Sequence, residues 1–167
     1  ANAVEIGKRA TQYGMKLLVN FHYSDFWADP GKQMVPKSWK GMEIEEKTDA
    51  VYQFTRDCLA QLRAAGVDVG MVQVGNETNQ YMCGEKIWFN IQYLMQAGAR
   101  ATREIYPEAL VALHFANPEK AGSYATYAKK MDYYQVDYDV FASSYYPYWH
   151  GSLENLTAVL SDIATTY

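Results

Sequence analysis

The residues best able to do chemistry in this chain stand where short apolar runs end. In GMVQVGNETNQYMCG (residues 70–84), Met71 to Val74 read as a strand, a glycine follows, and Asn76 and Glu77 stand side by side. A carboxyl group at the point where a strand opens into a loop is either a solvated charge or a proton donor held over a substrate. The other strand-like runs end on similar residues. His22, Asp25 and Trp27 follow KLLVNF, His114 closes LVALHF, and Ser144, Tyr145 and Tyr146 close YDVFASSYY. Each alone has a plain structural reading: a histidine satisfied by its neighbours, an aspartate capping a turn. Convergence on one rim is what would give them a common chemistry.

Whether they converge depends on the elements that carry them. Hydrophobic periodicity predicts helices over 3–13, 48–65, 86–105, 121–134 and 152–167, and strands over 16–21, 67–74, 110–115 and 138–146. Gly14 and Gly66 stop the first two helices, Pro107 lies just past the third, and Ser152 is a good N-cap for the last. Ile87, Ile91, Leu94, Gly98, Ala101 and Ile105 form one stripe along the third helix. Helix and strand alternate throughout, the pattern of βα units around a parallel sheet. Helix-to-strand joins are short. The segments after strands are long and polar, with residues 22–47 the extreme. Polar residues therefore gather at the carboxyl ends of the strands, the edge that holds active sites in such folds. VGNET is not a phosphate-cradling GxGxxG turn, which favours a barrel over a dinucleotide-binding sheet. The predicted fold is a (β/α)8 TIM barrel. Four strands make about half of it, so residues 1–167 are expected to be a central segment of one catalytic domain, with the remainder of the barrel needed for a complete fold.

Composition narrows the function classes. With 49% hydrophobic residues the 167-residue chain is globular, and its net charge of −4 weighs against nucleic acid or an anionic membrane as partner. No apolar run approaches the roughly 18 residues that span a bilayer. Fifteen Tyr, four Trp and six Phe make 15% aromatic content, enough to supply both a core and flat platforms for sugar rings. Cys58 is expected as a buried thiol on a helix face; Cys83 lies in a loop, and no disulfide is expected between them. No spacing suggests a metal cluster, and no cofactor is expected.

FHYSDFWADPGKQ (21–33), VQVGNET (72–78) with MCGE after it, and SSYYPYWHG (143–151) together resemble the endo-β-1,4-galactanases of glycoside hydrolase family 53, in order and over essentially the whole chain. That resemblance implies a retaining (β/α)8 glycosidase acting on β-1,4-galactan, of which this segment holds strands three to six. It implies that Glu77 is the general acid/base, a role that calls for a carboxyl still protonated near neutral pH. It implies that Asn76 hydrogen-bonds the sugar 2-hydroxyl. His22, Asp25, His114, Tyr145 and Tyr146 would line the site, and Trp27 and Trp149 would stack on sugar. Trp39 is either a further platform or a loop anchor, and Trp88 reads as core. Asn20 departs from the family, which commonly has aspartate there. The nucleophile, a glutamate at the end of the seventh barrel strand, is expected beyond Tyr167, which would leave these residues catalytically incomplete. An extracellular location follows only from the family and its polymeric substrate. Two alternatives stay open: another retaining barrel hydrolase acting on mannan, xylan or β-glucan, and a non-catalytic carbohydrate-binding barrel fragment.

Overall fold

The computed structural model describes residues 2–167. Five α-helices, α1 (Asn2–Gln12), α2 (Ile44–Ala64), α3 (Trp88–Ile105), α4 (Ser123–Tyr133) and α5 (Leu153–Thr166), alternate with four strands, β1 (Leu17–Phe21), β2 (Val69–Val74), β3 (Leu110–Phe115) and β4 (Val140–Ser143). The strands form one parallel sheet in the order β1-β2-β3-β4, so each βα unit is laid beside the last.

Three of the four helix-to-strand joins share one physical device. Gly14 and Gly66 sit at positive φ just past α1 and α2. The paired bonds Gly14 N–H to Thr11 O and Met15 N–H to Ala10 O, repeated as Gly66 to Arg63 and Val67 to Leu62, satisfy the last helical carbonyls. Gln135, at φ 52, does the same after α4 without being glycine.

Most boundaries fall within two residues of the sequence expectation, and two elements differ by more. Helix α2 begins at Ile44 rather than 48, because Glu43 and Glu46 form a reciprocal capping box, a role more often filled by Ser or Thr. Strand β4 is Val140–Ser143, shorter than the expected 138–146. Ser144 N–H still pairs with Phe115 O, but Tyr146 then turns back, its carbonyl accepting from Trp149 and His150 N–H.

Strand alternation gives the sheet two different faces. Val72 and Val74 of β2 and Val111, Leu113 and Phe115 of β3 are fully buried with Val51 and Leu59 of α2, Ile91, Leu94 and Met95 of α3, and Tyr124 and Met131 of α4. Trp88 joins this core, stacked on Tyr127 at 6.1 Å. Trp39 packs edge-on against Phe54 of α2 at 6.1 Å and anchors the long segment after β1. Both cysteines are free thiols; Cys83 is buried, whereas Cys58, expected inside, is only half-buried.

Candidate active site

The face of the sheet turned away from the helices carries the polar residues. Asn20, Gln73 and His114 share that face, and Ser144, just past the end of β4, is in step with Ala142, the register partner of His114. Parallel register sets their neighbours, pairing Asn20 with Gln73 and His114 with Ala142. Beyond β2, Gly75 at φ 87 and Glu77 at φ 50 bend the chain over the sheet edge. A side chain at Gly75 would start 2.5 Å from Thr78 Cγ2, so glycine is required on both counts. A positive φ at Glu77 is unusual for a side-chain-bearing residue and marks a backbone held by its surroundings.

Those surroundings can be named. Thr78 N–H donates to His114 O (2.9 Å). Asn79 pairs with Ala116 as a strand would, accepting its N–H (2.8 Å) and donating to its carbonyl (2.9 Å). Buried Gln33 donates to Asn76 O (2.7 Å) and Asp29 O (3.1 Å), tying the segment after β1 to the Asn76–Glu77 turn. Farther out, Lys47 of α2 pairs with Glu85, which also accepts from Asn90 (2.8 Å), and this holds the outer part of the loop.

Within this frame Glu77 is half-buried, and its Oε1 accepts from Ser144 Oγ at 2.5 Å. The same Oγ lies 2.9 Å from His114 Nε2. On the far side of that ring, Nδ1 accepts the Glu77 backbone N–H (3.3 Å) and stands 3.0 Å from Gln73 Nε2. Burial, reinforced by the charge of His22, pushes the His114 pKa down to about 4, so the ring is neutral at moderate pH. Asn76 is 5% exposed; its amide donates to Ala28 O (2.8 Å) and its Oδ1 accepts from Asn20 (3.0 Å) and Gln73 (3.2 Å). His22 accepts the Ala28 N–H on Nδ1 (3.0 Å) and faces the Asn20 amide with Nε2 (3.2 Å). Burial lowers the His22 pKa and the Glu77 charge opposes that shift, which puts the two groups within electrostatic reach.

Of the residues singled out in the sequence, Glu77, Asn76, His22 and His114 thus meet in one polar network. Trp27 lies beside it, 73% exposed and packed edge-on against His22 at 4.7 Å. Tyr146 and Trp149 form a second exposed aromatic group, 5.8 Å apart, that continues to Tyr148. Tyr145 is half-buried and donates to Gly151 O (3.0 Å). Asp25 is exposed, and its Oδ2 accepts from Lys37 N–H (2.7 Å), bracing the 3₁₀ turn Lys37–Trp39. Gln73, Gln33 and His150 belong to the site and were not singled out. Gln73 carried a signal: a polar residue inside a buried strand run, in step with Asn20. His150, 6% exposed, accepts the Tyr146 N–H on Nδ1 (3.1 Å) and closes the loop after β4; its place shows only in three dimensions. Among the described residues, no three His, Cys, Asp or Glu side chains are grouped to hold a metal ion.

A parallel run of βα units with a carboxyl-centred polar network and exposed aromatics at its strand ends is the arrangement of a segment of a (β/α)8 barrel. The chain belongs to glycosyl hydrolase family 53, whose family profile matches residues 1–167. It is 55% identical over 165 residues to an endo-beta-1,4-galactanase of Bacillus subtilis, covering 99% of this chain and 38% of that protein. It is 37% identical over 174 residues to an arabinogalactan endo-beta-1,4-galactanase of Cellvibrio japonicus, covering 96% of this chain and 46% of that protein. The family 53 catalytic domain of Ignisphaera aggregans superposes with a TM-score of 0.90 at 30% identity, over 99% of this chain and 47% of that one. The chain therefore spans less than half the length of these relatives.

Proposed function

We propose that these residues form strands three to six of a retaining endo-galactanase that hydrolyses β-1,4-galactan, with Glu77 as its general acid/base. The observation that carries this reading is the setting of Glu77: a half-buried carboxyl at the strand-end rim, one oxygen held by Ser144, within electrostatic reach of His22, on which exposed Trp27 packs. In the first step Glu77 gives its proton to the departing glycosidic oxygen while a carboxylate from the remainder of the barrel attacks the anomeric carbon. In the second, Glu77 takes a proton from water, which displaces that carboxylate and releases the sugar. Asn76, whose orientation Ala28 and Asn20 fix, is the residue this reading assigns to the 2-hydroxyl of the sugar at Glu77. Trp27 and the Tyr146–Trp149 pair supply faces for neighbouring galactose rings. His22, His114 and Tyr145 shape the wall, and Asp25 orders the loop that carries Trp27. A polymer too large to enter cells places the enzyme outside them, and no described helix is long and apolar enough to cross a membrane.

The test is Glu77→Gln in the complete protein that contains this segment, assayed on galactan, mannan, xylan and a β-glucan. Wild type is expected to prefer galactan, and the variant to lose at least about a hundredfold in kcat on it. Near-wild-type turnover by the variant would remove Glu77 from the role, and preference for another polymer would reassign the substrate.

A further inference from the structure

The direction of the hydrogen bonds around Glu77 follows from one fixed donor. The Glu77 backbone N–H points at His114 Nδ1 (3.3 Å), while the Gln73 amide nitrogen, 3.0 Å from the same atom, has its two hydrogens facing Gly75 O (3.0 Å) and Asn76 Oδ1 (3.2 Å). Asn76 Oδ1, the one acceptor nearby at 3.2 Å, already accepts from Asn20 and Gln73. The Nδ1 atom is therefore an acceptor, and the neutral ring carries its hydrogen on Nε2. That hydrogen faces Ser144 Oγ at 2.9 Å. The serine hydroxyl, accepting from the ring, has its own hydrogen left for its other partner, Glu77 Oε1 at 2.5 Å.

We propose that Ser144 is a positioning residue for the acid/base: its hydroxyl, oriented by His114, stays on Glu77 Oε1 and leaves Oε2 as the oxygen that gives and takes the proton. This rests on the assignment of Glu77 as acid/base. A bond to a carboxylate is about twice as strong as one to a neutral carboxyl group. The Ser144 bond therefore strengthens as the proton leaves Oε2, which favours the transition state over the ground state. It acts on proton donation and leaves sugar binding alone. The backbone of Ser144 is fixed independently, by its N–H to Phe115 O, so the side chain can be changed without releasing the strand end.

The experiment compares Ser144→Ala, Ser144→Cys and Ser144→Thr in the complete protein, on galactan and on an aryl galacto-oligosaccharide with a dinitrophenol leaving group, which departs without protonation. Ser144→Ala is expected to lower kcat/KM on galactan by about tenfold or more with KM little changed. Its alkaline limb should move to higher pH, since a carboxylate that has lost a donor holds its proton longer. On the activated substrate kcat/KM should change less than about threefold. Ser144→Cys, with a weak donor, should follow Ala, while Ser144→Thr should recover most of the loss and the native pH profile. Equal losses on both substrates, or an unmoved alkaline limb, overturn the proposal. Glu77→Gln separates the two readings. If it is inactive on galactan while Ser144→Ala is indifferent, only the Ser144 role fails; if it stays active, the acid/base assignment itself fails.

Discussion

Helix α3 lies against β2 at Gly98, directly behind the strand end that delivers Glu77, and Gly98→Ala tests how tightly that support is built. A methyl group there would start 2.5 Å from Val74 Cγ1, 3.0 Å from Val74 Cγ2 and 2.9 Å from the Tyr23 hydroxyl. Carbon atoms rest at about 3.5–4.0 Å, so α3 must retreat by roughly 1 Å or Val74 must leave its rotamer. Tyr23 cannot yield easily, because it is buried and hydrogen-bonded to Thr55 of α2 at 2.7 Å. Two terms oppose each other. Alanine in a helix interior gains about 1 kcal/mol over glycine. Forcing a methylene-sized group into a packed core costs about 1–3 kcal/mol, and contacts this short belong at the upper end. The expected result is a net loss of about 2 kcal/mol, read by urea unfolding of the complete protein. Adding Val74→Ala should remove the clash, so the double variant should be more stable than the sum of the single changes by at least about 1 kcal/mol. A Gly98→Ala protein more stable than wild type would refute the reasoning, since helix propensity would then outweigh contact.

Two further predictions concern the groups that hold the site. The His114 pKa falls from 6.5 to about 4 on folding, so between those values the unfolded chain binds a proton that the folded protein refuses. Stability is full above about pH 6.5 and falls as the pH drops to about 4, by about 3 kcal/mol from this residue; the stability difference between wild type and His114→Gln should narrow by that amount from pH 7 to pH 4, and a constant difference would contradict it. Asn79→Ala leaves the buried N–H and carbonyl of Ala116 without their partner, which should cost about 2 kcal/mol or more in urea unfolding and loosen the Glu77 turn, seen as faster amide exchange at Thr78.

Much of this architecture is written in local pattern. Among the described residues, apolar periodicity and glycine stops located the five α-helices and four strands but not the 3₁₀ turn Lys37–Trp39, because burial against a sheet imposes a 3.6-residue repeat on helices and short unbroken runs on parallel strands. Boundaries were less legible where the determinant was an atypical cap, Glu43, or a histidine-centred turn, at His150. Glu77 was readable from its position after a strand and from the company of Asn76. Ser144 was visible only as one polar residue among several at the end of β4. Nothing local says that its hydroxyl meets a carboxylate 67 positions earlier in the chain.

The sequence alone determined the order and type of the elements and the strand ends at which polar residues collect, because those follow from local periodicity, and the strict helix–strand alternation then implies a parallel sheet. The tertiary structure decided which of these residues touch. Strand register put Asn20 beside Gln73 and carried His114 and Ser144 to the same face, and the positive-φ turn at Gly75 and Glu77 swung the carboxyl back over them. The physical reason is that side-chain hydrogen bonds form over about 3 Å, a scale fixed by how strands pair and helices pack and not by their spacing along the chain.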